Sequence, residues 1–140
     1  FTMCPDICPT TLQSIASVLQ LLGDDGARIR PLFVTVDPER DTPATLAGYV
    51  TLFDPSIVGL TGTPEQVAQI ARAYRVHYRK ADDSSAGYLM EHTAVMFLMA
   101  PDGKYLSHIP PDMPPKRVAE TIRQHMADSR SPPSAAEKSQ

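Results

Sequence analysis

The sequence lacks the features that mark several common classes of protein. No apolar run approaches the ~18 residues of a membrane-spanning helix, and no signal peptide is recognisable. Basic residues are not in excess, because 13 Lys and Arg stand against 16 Asp and Glu. This balance argues against a nucleic-acid or anionic-membrane surface. The two cysteines among 140 residues are too few for a disulfide-stapled scaffold, whereas the length suffices for one ordinary hydrophobic core.

The spacing of apolar residues predicts an alternation of helices and strands. Four amphipathic helices have apolar faces within residues 12–22, 46–53, 67–74 and 118–126. Short runs typical of strands lie at 29–36, 57–60, 76–79, 93–100 and 105–109. The last two flank Pro101-Asp102-Gly103-Lys104, a strong hairpin signal, and residues 80–91 are predicted to be a polar loop.

This order of elements predicts a thioredoxin-like fold, a three-layer α/β sandwich with a mixed sheet. We expect one domain over residues 1–127 and a disordered tail over residues 128–140, which is rich in Ser, Pro and charged residues. A thioredoxin-like fold would place a strand directly before Cys4, and only Phe1 and Thr2 could belong to it. The chain is therefore expected to be an internal piece of a longer protein, with its N-terminal strand or strands missing.

The two cysteines, Cys4 and Cys8, lie four residues apart at the start of the first predicted helix. On one helical turn their Cα atoms would be about 6 Å apart, which suits either a disulfide or two thiolates that share a metal ion. A helix N-terminus also stabilises the thiolate form. A purely structural disulfide stays open as an alternative, although closing so short a loop would contribute only about 2 kcal/mol.

Copper suits this pair better than zinc, because zinc sites use four Cys and His ligands and the sequence has no second cysteine pair. Cu(I) accepts two or three soft ligands. Of the four histidines, position favours His92 over His108, because His92 stands at a predicted junction between a loop and a strand. His77 and His125 are expected to be surface histidines or histidines whose hydrogen bonds are satisfied by the fold, and Met3 and Met90 are weaker candidates for contact with the metal.

Three segments, in the right order, resemble signatures of the Sco/SenC family of copper proteins. They are residues 1–10 (FTMCPDICPT), residues 36–43 (VDPERDTP) and residues 88–93 (YLMEHT), where Glu91 and Thr93 replace the more common Asp and Ser. The resemblance implies a thioredoxin-like fold and a copper site formed by Cys4, Cys8 and His92, which holds one Cu(I) or Cu(II) ion per chain.

The resemblance also implies a cellular role. Members of the family are tethered to a membrane and face the bacterial periplasm or the mitochondrial intermembrane space. There they act as metallochaperones that assist copper insertion into the binuclear copper site of cytochrome c oxidase. The partners implied are the copper-site subunit of that oxidase, other copper chaperones and thiol reductants, and the membrane would be reached only through an anchor outside this sequence.

Two questions stay open from the residues alone. Cys4 and Cys8 could instead be the redox pair of a thiol–disulfide oxidoreductase, although thioredoxin-type enzymes have a C-x-x-C pair facing a cis-proline, and no proline falls between Ala81 and Ala100. The segment around Asp37 and Arg40 is either a strand end, turn and helix cap, or a charged rim that helps to dock a partner.

Overall fold

The computed structural model describes residues 1–83, 85 and 87–130. Its helices are α1 (Ile7–Leu22), α2 (Pro43–Val50), α3 (Pro64–Ala73) and α4 (Pro115–Asp128), with a 3₁₀ segment at Gly23–Arg28. Its strands are β1 (Leu32–Val34), β2 (Val58–Leu60), β3 (Tyr78–Asp83), β4 (Gly87–His92), β5 (Met96–Met99) and β6 (Tyr105–Ile109). Among these helices, none is long and apolar enough to cross a membrane. Most of the predicted tail, residues 131–140, lies outside the described residues.

The strands form three pairs, of which one is parallel and two are antiparallel. β1 and β2 run parallel, with Leu32 opposite Val58, and the crossover between them carries α2. β3 pairs with β4, and β5 with β6, as antiparallel hairpins. The chain therefore combines parallel and antiparallel pairing, as the sequence predicts for a mixed α/β fold.

Helix α1 contributes residues to three buried apolar clusters. Near its C-terminal end, Val18 and Leu22 join a buried cluster with α4 and the end of β6. One turn after its start, Leu12 packs with Val50 and Ile57. Its first turn contributes Cys8 to a third cluster, in which Phe1 and Met90 are also buried. The burial of apolar surface along the whole helix thus fixes where its N-terminal turn lies, which matters for the cysteines.

Side chains cap the N-termini of the second and third helices. The hydroxyl of Thr42 accepts a hydrogen bond from the N–H of Thr45 at the start of α2. At the start of α3, Thr63 and Gln66 form a capping box, in which each side chain accepts from the backbone N–H of the other residue. Both helices begin with proline, which has no N–H group to satisfy. The caps satisfy other N–H groups of the first turn, which have no partner within the helix.

The predicted polar loop at residues 80–91 is wrong, because most of it belongs to the β3–β4 hairpin. Charged side chains lie across from each other on its exposed face, where Arg79 and Glu91 form an ion pair at 2.5 Å. Such pairs stabilise a hairpin. Because they place charged residues at strand positions, the segment lacks the apolar alternation by which strands are predicted from sequence. As a consequence, His92 is the last residue of β4, and residues 93–95 separate it from β5.

Candidate metal centre

Cys4 and Cys8 lie on either side of the beginning of α1. Cys4 precedes the helix, whereas Cys8 is its second residue and is buried. The prediction that both share a helical turn is therefore wrong. The residue before a proline is disfavoured in the α conformation, and Cys4 precedes Pro5. Instead, the Cys4 sulfur approaches the helix from outside and accepts the N–H of Cys8 at 3.5 Å, one of the first-turn donors without a partner in the helix.

His92 reaches the same place from the end of β4. Its Nε2 atom lies 3.8 Å from the sulfur of Cys8, and its Nδ1 atom lies 3.0 Å from the carbonyl oxygen of Thr93. Because a carbonyl can only accept, Nδ1 is the donor in this contact, and in the neutral ring Nε2 is the nitrogen left free to face the sulfur. The ring of Phe1 packs edge-on against the imidazole at 5.7 Å and limits its rotation.

The two sulfurs and the imidazole nitrogen all lie within 4.8 Å of one another. Metal–sulfur bonds are about 2.3 Å long in zinc thiolates, so a single ion spans atoms up to roughly 4.6 Å apart. The three donors fit one ion with little movement. Two soft sulfurs and one imidazole are a donor set that suits copper, and both cysteines are present as thiols.

The other candidate histidines lie away from this centre, and the two candidate methionines lie near it. His108 is exposed on β6, where its Nδ1 atom is 2.7 Å from the hydroxyl of Tyr105, and His77 is also exposed. Met90 is buried beside Cys8 in the third apolar cluster, whereas Met3 is half exposed. Within the described part of the chain, no second group of His, Cys, Asp and Glu side chains could hold a metal ion.

The connection between β1 and α2 contains two buried carboxylates next to this centre. The side chains of Asp37 and Asp41 are almost completely buried, at 1% and 0% exposure. Asp37 therefore cannot face a partner, so its part in the suggested docking rim is wrong, whereas Arg40 keeps 22% of its side chain exposed. Charged residues in a loop suggest exposure, whereas some partners of these two carboxylates lie far along the chain and cannot be recognised from the local sequence.

Two of those partners, Thr2 and Tyr88, belong to the segments that carry the ligands. Asp41 accepts hydrogen bonds from the backbone N–H and the hydroxyl of Thr2, two residues before Cys4. Asp37 accepts one at 2.7 Å from the hydroxyl of Tyr88 on β4. Burial and this bond to a carboxylate raise the pKa of Tyr88 to about 12. One sequence signal points to both contacts. Thr2 lies in the family-like segment 1–10 and Tyr88 in the family-like segment 88–93, while Asp37 and Asp41 lie in the third, 36–43.

Comparisons with known proteins agree with these motifs. The SCO1/SenC family model matches residues 1–127. The protein "SCO2 homolog, mitochondrial" of Bos taurus is 42% identical over 134 residues, which are 94% of this chain and 50% of that protein. The "SCO1 homolog, mitochondrial" of Homo sapiens is 41% identical over 129 residues, 90% of this chain and 43% of that protein. The chain thus spans about half the length of these two curated relatives.

A solved structure extends the likeness to three dimensions. Bradyrhizobium japonicum ScoI with copper bound is 40% identical and superimposes with a TM-score of 0.81, over 89% of this chain and 79% of that chain. The likeness confirms the predicted thioredoxin-like α/β fold. On the match of the family model over nearly the whole described chain, together with these identities, the chain belongs to the SCO1/SenC family.

Proposed function

We propose that the chain binds one copper ion through Cys4, Cys8 and His92 and passes it on as a metallochaperone. The observation that carries this proposal is the convergence of the two sulfurs and the imidazole nitrogen within 4.8 Å, from segments 84 residues apart in the sequence. The copper-bound relative supports the identity of the metal. Two thiolates suit Cu(I), and the imidazole allows the site to hold Cu(II) with an added oxygen or nitrogen donor.

The two sulfurs differ in how accessible they are to an acceptor protein. Cys8 is buried in one cluster with Phe1 and Met90, whereas Cys4 is partly buried and packs against that cluster. An incoming acceptor thiolate therefore reaches the metal on the side of Cys4. Copper transfer proceeds by ligand exchange, in which the acceptor thiolate bonds to copper as the Cys4 sulfur leaves and takes up a proton, and Cys8 and His92 are released afterwards.

The acceptor that we propose is the subunit that carries the binuclear copper site of cytochrome c oxidase, and the compartment is the periplasm or the mitochondrial intermembrane space. The names of the cattle and human relatives include the word mitochondrial, and the Bradyrhizobium relative is bacterial. Attachment to the membrane would be made by a segment outside this sequence.

Thiol–disulfide exchange is a second candidate function of the same residues. The sulfurs of Cys4 and Cys8 lie within 4.8 Å of each other, so a small movement would join them. In such a reaction a Cys4 thiolate attacks a partner's disulfide to form a mixed disulfide, and Cys8 then displaces the partner's second thiolate. The partner is reduced by two electrons, and the Cys4–Cys8 pair is oxidised by two.

Reduced protein is expected to take up one copper ion per chain, whereas protein with a Cys4–Cys8 disulfide should take up none. Oxidised sulfurs lose the thiolate charge that makes them ligands. Equilibrium dialysis followed by metal analysis measures both forms, and re-reduction with dithiothreitol should restore uptake. Equal copper uptake by the reduced and oxidised forms would contradict the proposed function.

A further inference from the structure

The segment between β1 and α2 contacts both parts of the chain that carry the metal ligands, the N-terminal turn before Cys4 and strand β4, which ends at His92. We call residues 37–41 the acidic connection. At one end, Asp41 accepts hydrogen bonds from the backbone N–H of Thr2 at 3.1 Å and from the hydroxyl of Thr35 at 2.7 Å. A carboxylate with no exposed surface must be matched by donors such as these to be stable. This end of the connection therefore fixes the turn that leads into Cys4.

At the other end, Asp37 binds the strand that carries His92. One oxygen of Asp37 accepts the hydroxyl of Tyr88, and the other accepts Nε of Arg40 at 2.5 Å. Arg40 in turn donates to the backbone carbonyl of Tyr88 at 2.9 Å, and its guanidinium carbon lies 3.7 Å from the centre of the Tyr88 ring. Tyr88 is thus held through its hydroxyl, its ring and its backbone.

The position of Tyr88 within β4 connects it with the metal centre. Residues two apart in a strand point to the same side, so Tyr88, Met90 and His92 share one face. On that face, Met90 is buried against Cys8 and Phe1. A shift or rotation of the strand at Tyr88 would therefore move the imidazole of His92 relative to the sulfur of Cys8, which lies only 3.8 Å from it.

We propose that Tyr88, Asp37 and Arg40 are positioning residues that hold the imidazole of His92 where it can share one metal ion with the two cysteine sulfurs. The inference rests on the proposed function, because it assumes that His92 is a copper ligand. Residues that orient metal ligands typically alter metal affinity by about 10- to 100-fold when they are changed. Tyr88 acts through the strand, so we expect the lower end of that range.

Tyr88→Phe removes the hydroxyl that donates to Asp37 and keeps the ring on which Arg40 stacks. It should weaken Cu(II) binding about tenfold, and it should leave Cu(I) binding by the two cysteines within about twofold, because Cu(I) is satisfied by two sulfurs. Arg40→Lys is a second variant with the same expected result, since an ammonium cannot bond Asp37 and the Tyr88 carbonyl in the fixed geometry of a guanidinium. Tyr105→Phe is the matched control, because its hydroxyl contacts His108 on another hairpin.

Two readouts separate positioning from general destabilisation. In a double-mutant cycle for Cu(II) affinity, Tyr88→Phe should have no further effect once His92 is replaced by Ala. In the metal-free protein, ¹⁵N NMR of the histidine rings should show changed His92 resonances in Tyr88→Phe, whereas Tyr105→Phe should change those of His108 alone.

The possible failures are distinguishable. If His92→Ala weakens Cu(II) binding while Tyr88→Phe alters neither the affinity nor the His92 resonances, the positioning role is overturned and the proposed function stands. The role is also overturned if Tyr88→Phe weakens binding equally with and without His92. If His92→Ala leaves Cu(II) binding unchanged, the ligand assignment fails, and the resonances of His92 alone then decide whether Tyr88 orients it.

Discussion

The double variant Cys4→Ser, Cys8→Ser is expected to lose Cu(I) binding by roughly a thousandfold or more, equivalent to about 4 kcal/mol of binding free energy. A serine hydroxyl is a hard and neutral donor at neutral pH, whereas Cu(I) prefers soft thiolates. The chain cannot compensate, because these are its only two cysteines. Competition titration against a Cu(I) chelator under reducing conditions measures the affinity.

The control for this experiment is Met3→Leu. Met3 offers a sulfur atom next to Cys4, but its side chain is 47% exposed and replaceable by an isosteric apolar residue. The Cu(I) affinity of the Met3→Leu variant should equal that of the parent protein. Thermal unfolding of all variants checks the fold, because Cys8 lies in a buried cluster. Tight Cu(I) binding that survives in the double cysteine variant would refute the site.

His92→Ala is expected to weaken Cu(II) binding at least tenfold, or about 1.4 kcal/mol, and to change the Cu(II) spectrum, while a weaker two-thiolate Cu(I) binding remains. Cu(II) prefers a shell of higher coordination that contains nitrogen, and His92 supplies the one imidazole within 4.8 Å of both sulfurs in the described structure. Electron paramagnetic resonance and visible absorption of the Cu(II)-loaded protein report the change directly.

His108→Ala is the matched control, because it removes the same ring from an exposed site on β6. It should leave both copper affinities and the Cu(II) spectrum as they are in the parent protein. The reverse pattern, with an altered spectrum in His108→Ala and an unaltered one in His92→Ala, would mean that the copper ligand is a different histidine.

The helices were the most predictable part of this fold. The apolar spacing of α1 and the Thr-Pro starts of α2 and α3 act over a few neighbouring residues, so a local pattern is sufficient to predict them. The β3–β4 hairpin was not predictable in the same way. Its stability depends on pairs such as Arg79 and Glu91, which become neighbours only when the strands meet.

The candidate site was predicted from motifs more than from physical reasoning. Spacing alone predicts Cys4 inside a helix, a conformation that Pro5 disfavours for it, and position alone favours His92 over His108 without excluding His108. The burial of Asp37 and its contact with Tyr88 could not be predicted from the sequence, because a carboxylate in a loop is normally exposed. Here its burial depends on Tyr88, which lies 51 residues away in the sequence.

Copper K-edge X-ray absorption of the reduced protein, loaded with one equivalent of Cu(I), tests the proposed copper site most directly. We expect a copper shell of two sulfurs and one imidazole nitrogen, from Cys4, Cys8 and His92. In His92→Ala the imidazole scattering should disappear while both sulfurs remain. A shell with fewer than two sulfurs, or imidazole scattering that persists in His92→Ala, would contradict the proposed copper site.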